Sequence, residues 1–471
     1  MRKMFSHSLM KKFLSFSIGN WVSLLIALIS TPIITRIISP EDFGVFSLFT
    51  IILNLLLMIS MLGTDQSYGR FYYEVDKGLR KNLLFYCLRI SFFMLIAIAL
   101  IILIFREYAV FFLFDSNDFN LIILLLIGLV MSIFNRFSLL VVRMEQRGGL
   151  YSVLQVTTKL LDFGILLLIY YSYFNIKEYY IPIISMIVTC LAVSLIAIIL
   201  TKENWKLSKG DPGNKKTYNY RQLISYGFPL AITMIMTWVF QYTDRFFIKA
   251  LGDYRELGLY AAAFKLVAIL TIIQISFTTF WVPLSNQKYQ ENNQDRQFFS
   301  RMFSLVSFAM TAIGFILIFS KDLLKIMFGE QYMEAVYIFP MLVLVPVMYT
   351  ISEISVVGIN FNKKPKYHIL ISVLVCLVSI IGNLGLVPYL GAKGAAISTG
   401  VSYVFFLILR TNFGVKNFSF NINYKKLYFE IFSLTFFALI STLTKTNPIQ
   451  IGIGIFLLMV IFFINYKNLK K

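Results

Sequence analysis

The chain has 471 residues, 58% of them hydrophobic and only 14% charged, with a mean hydropathy of +0.76. An average soluble domain carries about 25% charged residues and about 45–50% apolar ones, so this composition excludes a soluble globular protein. The formal net charge of +20 would suggest nucleic acid in a soluble chain. In a membrane protein it points instead to cytoplasmic loops facing anionic lipid, with no nucleic-acid partner.

Recurrent apolar runs of about 20 residues predict an all-α polytopic membrane protein with about 14 transmembrane helices. The first six are Phe13–Ile38, Phe43–Leu62, Leu83–Phe105, Leu121–Val142, Tyr151–Tyr173 and Tyr179–Leu200. The next six are Leu223–Ile248, Leu257–Leu284, Phe298–Phe319, Ala335–Ile359, Tyr367–Val387 and Gly394–Leu409. Leu427–Leu443 and Ile449–Ile464 complete the set; these two and the twelfth are the shortest or weakest, so 12 or 13 spans stay open. Arg2, Lys3, Lys11 and Lys12 imitate the start of a signal peptide. The apolar stretch after them runs past Ile38 with no small-residue cleavage site, and more spans follow, which predicts an uncleaved first helix. Cys87, Cys190 and Cys376 all fall in apolar runs, with neither a disulfide framework nor metal-ligand spacing.

With the amino terminus inside, 30 of the 43 Lys and Arg fall on inside segments, 9 on outside loops and 4 within spans. The acids show no such bias. The positive-inside rule then places both termini in the cytoplasm.

The most polar connection, Thr201 to Arg221, divides the helices six and six with two left over. A short echo supports a repeat. Arg36 to Phe46 closes the first helix and opens the second; Lys249 to Tyr260 does the same for the seventh and eighth. Each carries a cation, an outside turn and a Gly-aliphatic-aromatic triplet, and Gly44 and Gly258 are 214 residues apart. Both copies run inside to outside, so the expected repeats are parallel, about an axis along the membrane normal. The expected organisation is an N-terminal six-helix bundle over 1–203, a basic linker over 204–220, a C-terminal six-helix bundle over 221–412, and two extra helices with a tail over 413–471.

Enzyme motifs are scarce. No Gly-rich phosphate loop, Gly-x-Ser-x-Gly elbow or His-Glu-x-x-His occurs. His7 and His368 lie in inside flanks, and Glu74-Val-Asp76 reads as a solvated acid pair rather than a metal site. No catalytic residue, cofactor or metal is expected.

Ionisable groups inside spans are more telling, because each costs about 2.5–3.5 kcal/mol near a helix centre on insertion scales. Gln155, Lys159 and Asp162 form one stripe on the fifth helix, with Asn135 and Arg136 on the fourth and Asn20 on the first. Trp238, Gln241, Asp244 and Arg245 recur at helical spacing on the seventh, Lys265 lies on the eighth and Glu353 on the tenth. Two readings stay open: ion pairs that hold helices together, or a hydrated central cavity between two bundles, cationic on balance and suited to an anion. Tyrosines and tryptophans near helix ends read first as interfacial belts; stacking on sugar rings at Trp238, Tyr242 or Trp281 is the lesser reading.

Several segments resemble the bacterial polysaccharide-repeat (O-antigen type) flippases of the multidrug/oligosaccharidyl-lipid/polysaccharide exporter superfamily. They include Pro32-x-x-x-Arg36-x-Ile-x-Pro40-Glu41-x-Phe43-Gly44-x-Phe46 and Gly63-x-Asp65-x-x-x-x-Arg70-x-Tyr72-x-Glu74. Tyr226-Gly227-x-Pro229, Asp244-Arg245-x-x-Ile248, Gly258-x-Tyr260-x-x-Ala263-x-Lys265, Phe328-Gly329-x-x-Tyr332-x-x-Ala335 and Gly391-x-x-Gly394-Ala395-Ala396 continue the likeness over about 400 residues. The resemblance implies a flippase, moving undecaprenyl-diphosphate-linked oligosaccharide repeat units from the cytoplasmic to the outer leaflet of the bacterial cytoplasmic (inner) membrane. It implies alternating access, with membrane lipids as surroundings and a polysaccharide polymerase with chain-length machinery as further partners. Arg36, Arg136, Lys159, Arg245 and Lys265 are then the candidates to hold the substrate; Asp162, Asp244 and Glu353 are the candidates for ion coupling. An ion-coupled multidrug or small-molecule exporter is the alternative within the superfamily. A polytopic polymerase or glycosyltransferase is the alternative of another class.

Overall fold

The computed structural model describes residues 7–172, 176–206, 219–291, 295–364 and 366–469, and among them no strand occurs. Most of the expected basic linker, residues 207–218, lies outside the described residues, as do the side chains of Lys11, Lys12 and Asn20. The helices are α1 His7–Ile37, α2 Pro40–Met61, α3 Thr64–Phe71, α4 Arg80–Ile104, α5 Arg106–Phe114, α6 Asn120–Met144, α7 Gly148–Tyr171 and α8 Tyr180–Leu200. They continue as α9 Tyr220–Leu251, α10 Tyr254–Glu291, α11 Arg296–Phe319, α12 Ala335–Ser355, α13 Val357–Phe361, α14 Lys366–Asn417, α15 Tyr424–Leu443 and α16 Pro448–Leu469. Backbone polar groups have no water to bond in hydrocarbon, so apolar runs of this length close their hydrogen bonds internally as helices.

Twelve of the described helices are long and apolar enough to cross a membrane, against the roughly 14 expected. Two features account for the difference. The apolar described part of α1, Trp21–Ile37, is shorter than the rest. Helix α14 has 52 residues, far more than the ~20 that span a bilayer, and turns at Gly391, where φ is 54° and ψ −133°. Pro388 precedes that turn, and Glu256 of α10 accepts a hydrogen bond from the Ala392 amide at 2.7 Å, so an anion caps the second half of the helix.

The helices gather into two compact units, Met1–Ser30 with Val45–Val239, and Thr31–Gly44 with Phe240–Lys471. The chain passes between units within α1, α2 and α9. In the first unit α8 packs on α6 and α7, and α6 presents Leu121, Leu125, Leu129 and Ile133 as one fully buried stripe. Also in this unit, the turn after α2 carries Leu62 and Gly63 at positive φ and meets the start of α9. A Cβ at Gly63 would lie 2.1 Å from the Gly227 carbonyl oxygen, and Ser67 donates to the Leu223 carbonyl at 2.7 Å. In the second unit α12 is buried over almost its whole length, surrounded by α10, α11, α14 and α15.

Candidate functional site

A cavity of about 720 Å³ opens in the first unit, walled by the end of α2 and by α3, α6, α7, α8 and α9. Its charged lining is Asp65, Arg70, Arg136 and Arg143, so cations outnumber acids three to one. On α6 the lining residues Ser132, Asn135, Arg136, Leu139 and Arg143 recur at three- and four-residue steps, which is one helical face. Helix α3 begins at the Gly63 turn and so brings Asp65, in its first turn, to Arg136. A carboxylate is favoured there by the unpaired amides of a helix start. Asp65 Oδ2 receives Arg136 Nη2 at 2.9 Å and Nε at 3.3 Å, and Gln66 Nε2 at 3.0 Å. Asp65 is 6% exposed, whereas the Arg136 side chain is 50% exposed, so the guanidinium keeps a face toward the open space. A second cavity of about 100 Å³ shares Asp65, Arg136 and Leu57 and extends past Gly63 to Met234. Arg70 is ion-paired with Glu74, four residues on.

Arg136 is thus the one expected substrate-binding residue that lines this cavity. Lys159 lies on the exposed side of α7 and is not among its lining residues, although Gln155 of the same expected stripe is. Asp162 accepts a hydrogen bond from Ser185 at 2.9 Å. Arg36 belongs to the second unit, where it lines a separate cavity of about 640 Å³ with Lys325 and Glu330 and donates to the Ile326 carbonyl at 3.1 Å.

Among the buried ionic clusters of the second unit, two hold residues expected from the sequence. In one, Asp244 accepts hydrogen bonds from its neighbour Arg245 (backbone amide, 2.8 Å), from Tyr260 and from Thr399 at 3.3 Å. The Arg245 guanidinium lies 4.4 Å from the Phe264 ring centre and 4.8 Å from that of Tyr242. Lys265 sits nearby in sequence, with its ammonium 4.4 Å from the Phe43 ring centre. In the other cluster, Glu353 pairs with Arg410 at 2.8 Å, and Arg410 also donates to Ser352 at 2.8 Å. Read from the sequence, Glu353 is the most isolated acid of the chain; the structure corrects this. Its partner was hidden because the twelfth expected helix stops at Leu409, which leaves Arg410 to the cytoplasmic flank. A buried acid without a cation in its own helix is itself the signal that one approaches from elsewhere. The lesser reading of the aromatics, stacking on a sugar, does not fit the two tryptophans: Trp281 is fully buried, donating to the Glu353 carbonyl at 3.0 Å, and Trp238 is 4% exposed, so neither presents a face to a sugar. Asp65, Arg70 and Arg143 were not singled out as site residues. Asp65 and Arg70 fall just past an apolar run, where the folded chain adds the short helix α3.

A family model described as polysaccharide biosynthesis protein matches residues 9–288, more than half of the chain. A probable low-salt glycan biosynthesis flippase, Agl15 of Haloferax volcanii, is 23% identical over 283 residues, covering 58% of this chain and 60% of the relative. The chain therefore matches less than two thirds of that relative's length. Among solved structures, the lipid II flippase MurJ in an inward closed conformation aligns over 97% of this chain and 99% of its own, with a TM-score of 0.69 and 14% identity. An inward-facing multidrug resistance MATE transporter of the MOP superfamily aligns over 87% and 98%, with a TM-score of 0.62 and 12% identity. A MOP superfamily transporter from Pyrococcus furiosus, titled for the reverse polarity of its binding pocket, aligns over 87% and 96%, at 0.57 and 14%. At these identities the likeness is one of fold.

Proposed function

Because the chain belongs to the polysaccharide biosynthesis protein family, we propose that it is a flippase, carrying a lipid-linked oligosaccharide from the cytoplasmic to the outer leaflet. The observation that carries this reading is the cavity of the first unit, with Arg70, Arg136 and Arg143 on its wall against the single acid Asp65. A diphosphate linking lipid to sugar is the group such a wall suits. Arginine forks match phosphate oxygens in pairs, and charge-assisted bonds strengthen where water is partly excluded. Undecaprenyl diphosphate is the proposed carrier lipid and a repeat unit for cell-surface polysaccharide the proposed cargo, in a bacterial cytoplasmic membrane with both chain termini inside. Alternating access moves the headgroup while no covalent bond changes, and a polymerase and chain-length machinery receive the product. Arg36, Lys159, Arg245 and Lys265 remain proposed contacts along the path, and Asp162, Asp244 and Glu353 proposed coupling groups.

The test is transfer of a fluorescent undecaprenyl-diphosphate-linked glycan across vesicles holding the purified protein. Protection of the fluorophore from an external quencher should appear with the protein and fall at least tenfold in rate with Arg136→Ala. Likeness of fold to MATE transporters favours a second reading, an ion-coupled exporter of small molecules. Dye efflux without glycan transfer would establish that reading instead.

A further inference from the structure

We propose that Asp65 is a displaceable internal anion, whose carboxylate occupies on Arg136 the place that a ligand's diphosphate takes. This rests on reading the cavity of the first unit as a diphosphate site. Binding is then an exchange of two anions on one guanidinium.

The geometry carries the exchange in three ways. Both Arg136 nitrogens converge on the same carboxylate oxygen, Oδ2, at 2.9 and 3.3 Å. The guanidinium is therefore not engaged as a two-oxygen fork, the geometry that a phosphate offers and that makes such pairs strong. Second, the two partners are differently placed: Asp65 is 6% exposed and fixed on a helix start, while half of the Arg136 side chain faces the cavity. The incoming anion thus meets the cation and not the carboxylate. Third, Asp65 is not abandoned when Arg136 leaves. Gln66 Nε2 stays at 3.0 Å and the first turn of α3 still favours a negative charge, while the smaller cavity gives the pair room to separate.

The consequence is a brake on affinity. A carrier that held a diphosphate with Arg136 uncompensated would release it slowly. An internal carboxylate that returns to Arg136 as the ligand departs lowers the affinity and speeds release. Asp65 therefore sets the holding strength without touching the ligand.

The experiment is equilibrium binding of farnesyl diphosphate, with farnesol as the neutral control, to the full-length protein in lipid nanodiscs. The variants are Asp65→Asn, which keeps shape, and Asp65→Ser, which keeps a residue suited to a helix start, each alone and combined with Arg136→Ala. Removing the competing carboxylate should tighten farnesyl diphosphate binding about tenfold, the size of one charge-assisted hydrogen bond freed for the ligand, and leave farnesol binding unchanged. The gain should vanish in the Arg136→Ala background, and glycan transfer by the tight-binding variants should slow. Unchanged or weaker binding by a folded neutral variant, or a gain that persists without Arg136, overturns the role of Asp65. Wild-type protein that prefers farnesol, or shows no preference, overturns the diphosphate reading of the cavity itself.

Discussion

Single side chains in this protein are governed by what they exchange for water. Glu353 and Arg410 are both under 10% exposed, and each satisfies the other's charge at 2.8 Å. Removing one partner of a buried pair costs about 3–5 kcal/mol, whereas replacing both with apolar groups is often nearly neutral. Glu353→Gln should therefore lower the melting temperature sharply, and Glu353→Gln with Arg410→Met should recover most of the loss. If the single and double variants melt alike, the pair is not the source of the effect. This also changes what Glu353 can say about ion coupling, since a transport defect in Glu353→Gln has first to be separated from an unpaired Arg410. Lys321 follows the same rule by another route. Its ammonium is buried and donates to the Ser441 carbonyl at 2.7 Å, near the end of α15, where a cation is favoured. Asp118, in the connection between α5 and α6, is the loop counterpart. Burial would raise its carboxyl, but hydrogen bonds from Tyr179, Tyr180 and Lys177 outweigh that and hold it well below the usual carboxylate range. A depressed folded-state value stabilises the protein above the unfolded-state value, and the contribution is lost as pH falls through the folded one. Asp118→Asn should thus melt earlier by the same margin from pH 8 to pH 5, with the gap to wild type closing only below about pH 4. A gap that already closes at pH 6 would assign the effect to another group.

At the scale of helices, glycine decides where backbones approach. A Cβ built on Gly44 would lie 1.9 Å from the Tyr254 carbonyl oxygen, and one on Gly258 would lie 1.9 Å from that of Pro40. The offset of 214 residues relates Gly44 to Gly258 and also Pro40 to Tyr254, so the two halves of the sequence echo meet reciprocally within the second unit. Gly44→Ala or Gly258→Ala should cost about 1–3 kcal/mol or more through overpacking, read as a lower melting temperature. Gly164→Ala, where a Cβ meets nothing within 4 Å, should instead gain about 0.5–1 kcal/mol from helix propensity. Equal responses at Gly44 and Gly164 would remove the close approach as the reason for glycine. The long helices were legible because apolar runs and positive flanks report them one segment at a time. Short α3, α5 and α13 were not, because eight-, nine- and five-residue helices are held by packing and carry too few residues for a period to show. The same limit hid the site. Arg136 stood out as a cation inside a span, but Asp65 reaches it only because the Gly63 turn folds α3 back toward α6. Lys159 had the sequence signature of a cavity residue and lies on the exposed side of its helix.

For the whole molecule, the strongest statement in the sequence is one of orientation, and it is testable without any substrate. Thirty of 43 cations fall on segments that share one side if the amino terminus is inside, and short basic connections of this kind are expected in the cytoplasm. Lys206 follows α8 and lies in the central basic connection, whereas Lys177 precedes α8 on the opposite side of one crossing. Both lysines are exposed; the Lys206–Glu203 pair is of the surface kind worth about 0–1 kcal/mol, and Asp118 keeps Tyr179 and Tyr180 as donors without Lys177, so replacing either lysine should leave the fold intact. In a chain whose own Cys87, Cys190 and Cys376 are replaced by serine, Lys177→Cys should react with an impermeant maleimide added to whole cells. Lys206→Cys should react only after the membrane is opened. Reversed labelling would invert the orientation and, with it, the leaflet from which the proposed ligand would reach Arg136. Labelling of both positions from one side would mean that α8 does not cross. The expected pattern puts Arg70 and Arg143, which lie near the ends of α3 and α6, toward the cytoplasmic side, as the proposed uptake of a lipid-linked glycan requires. Only in that orientation would a cationic cavity in the first unit serve the proposed export.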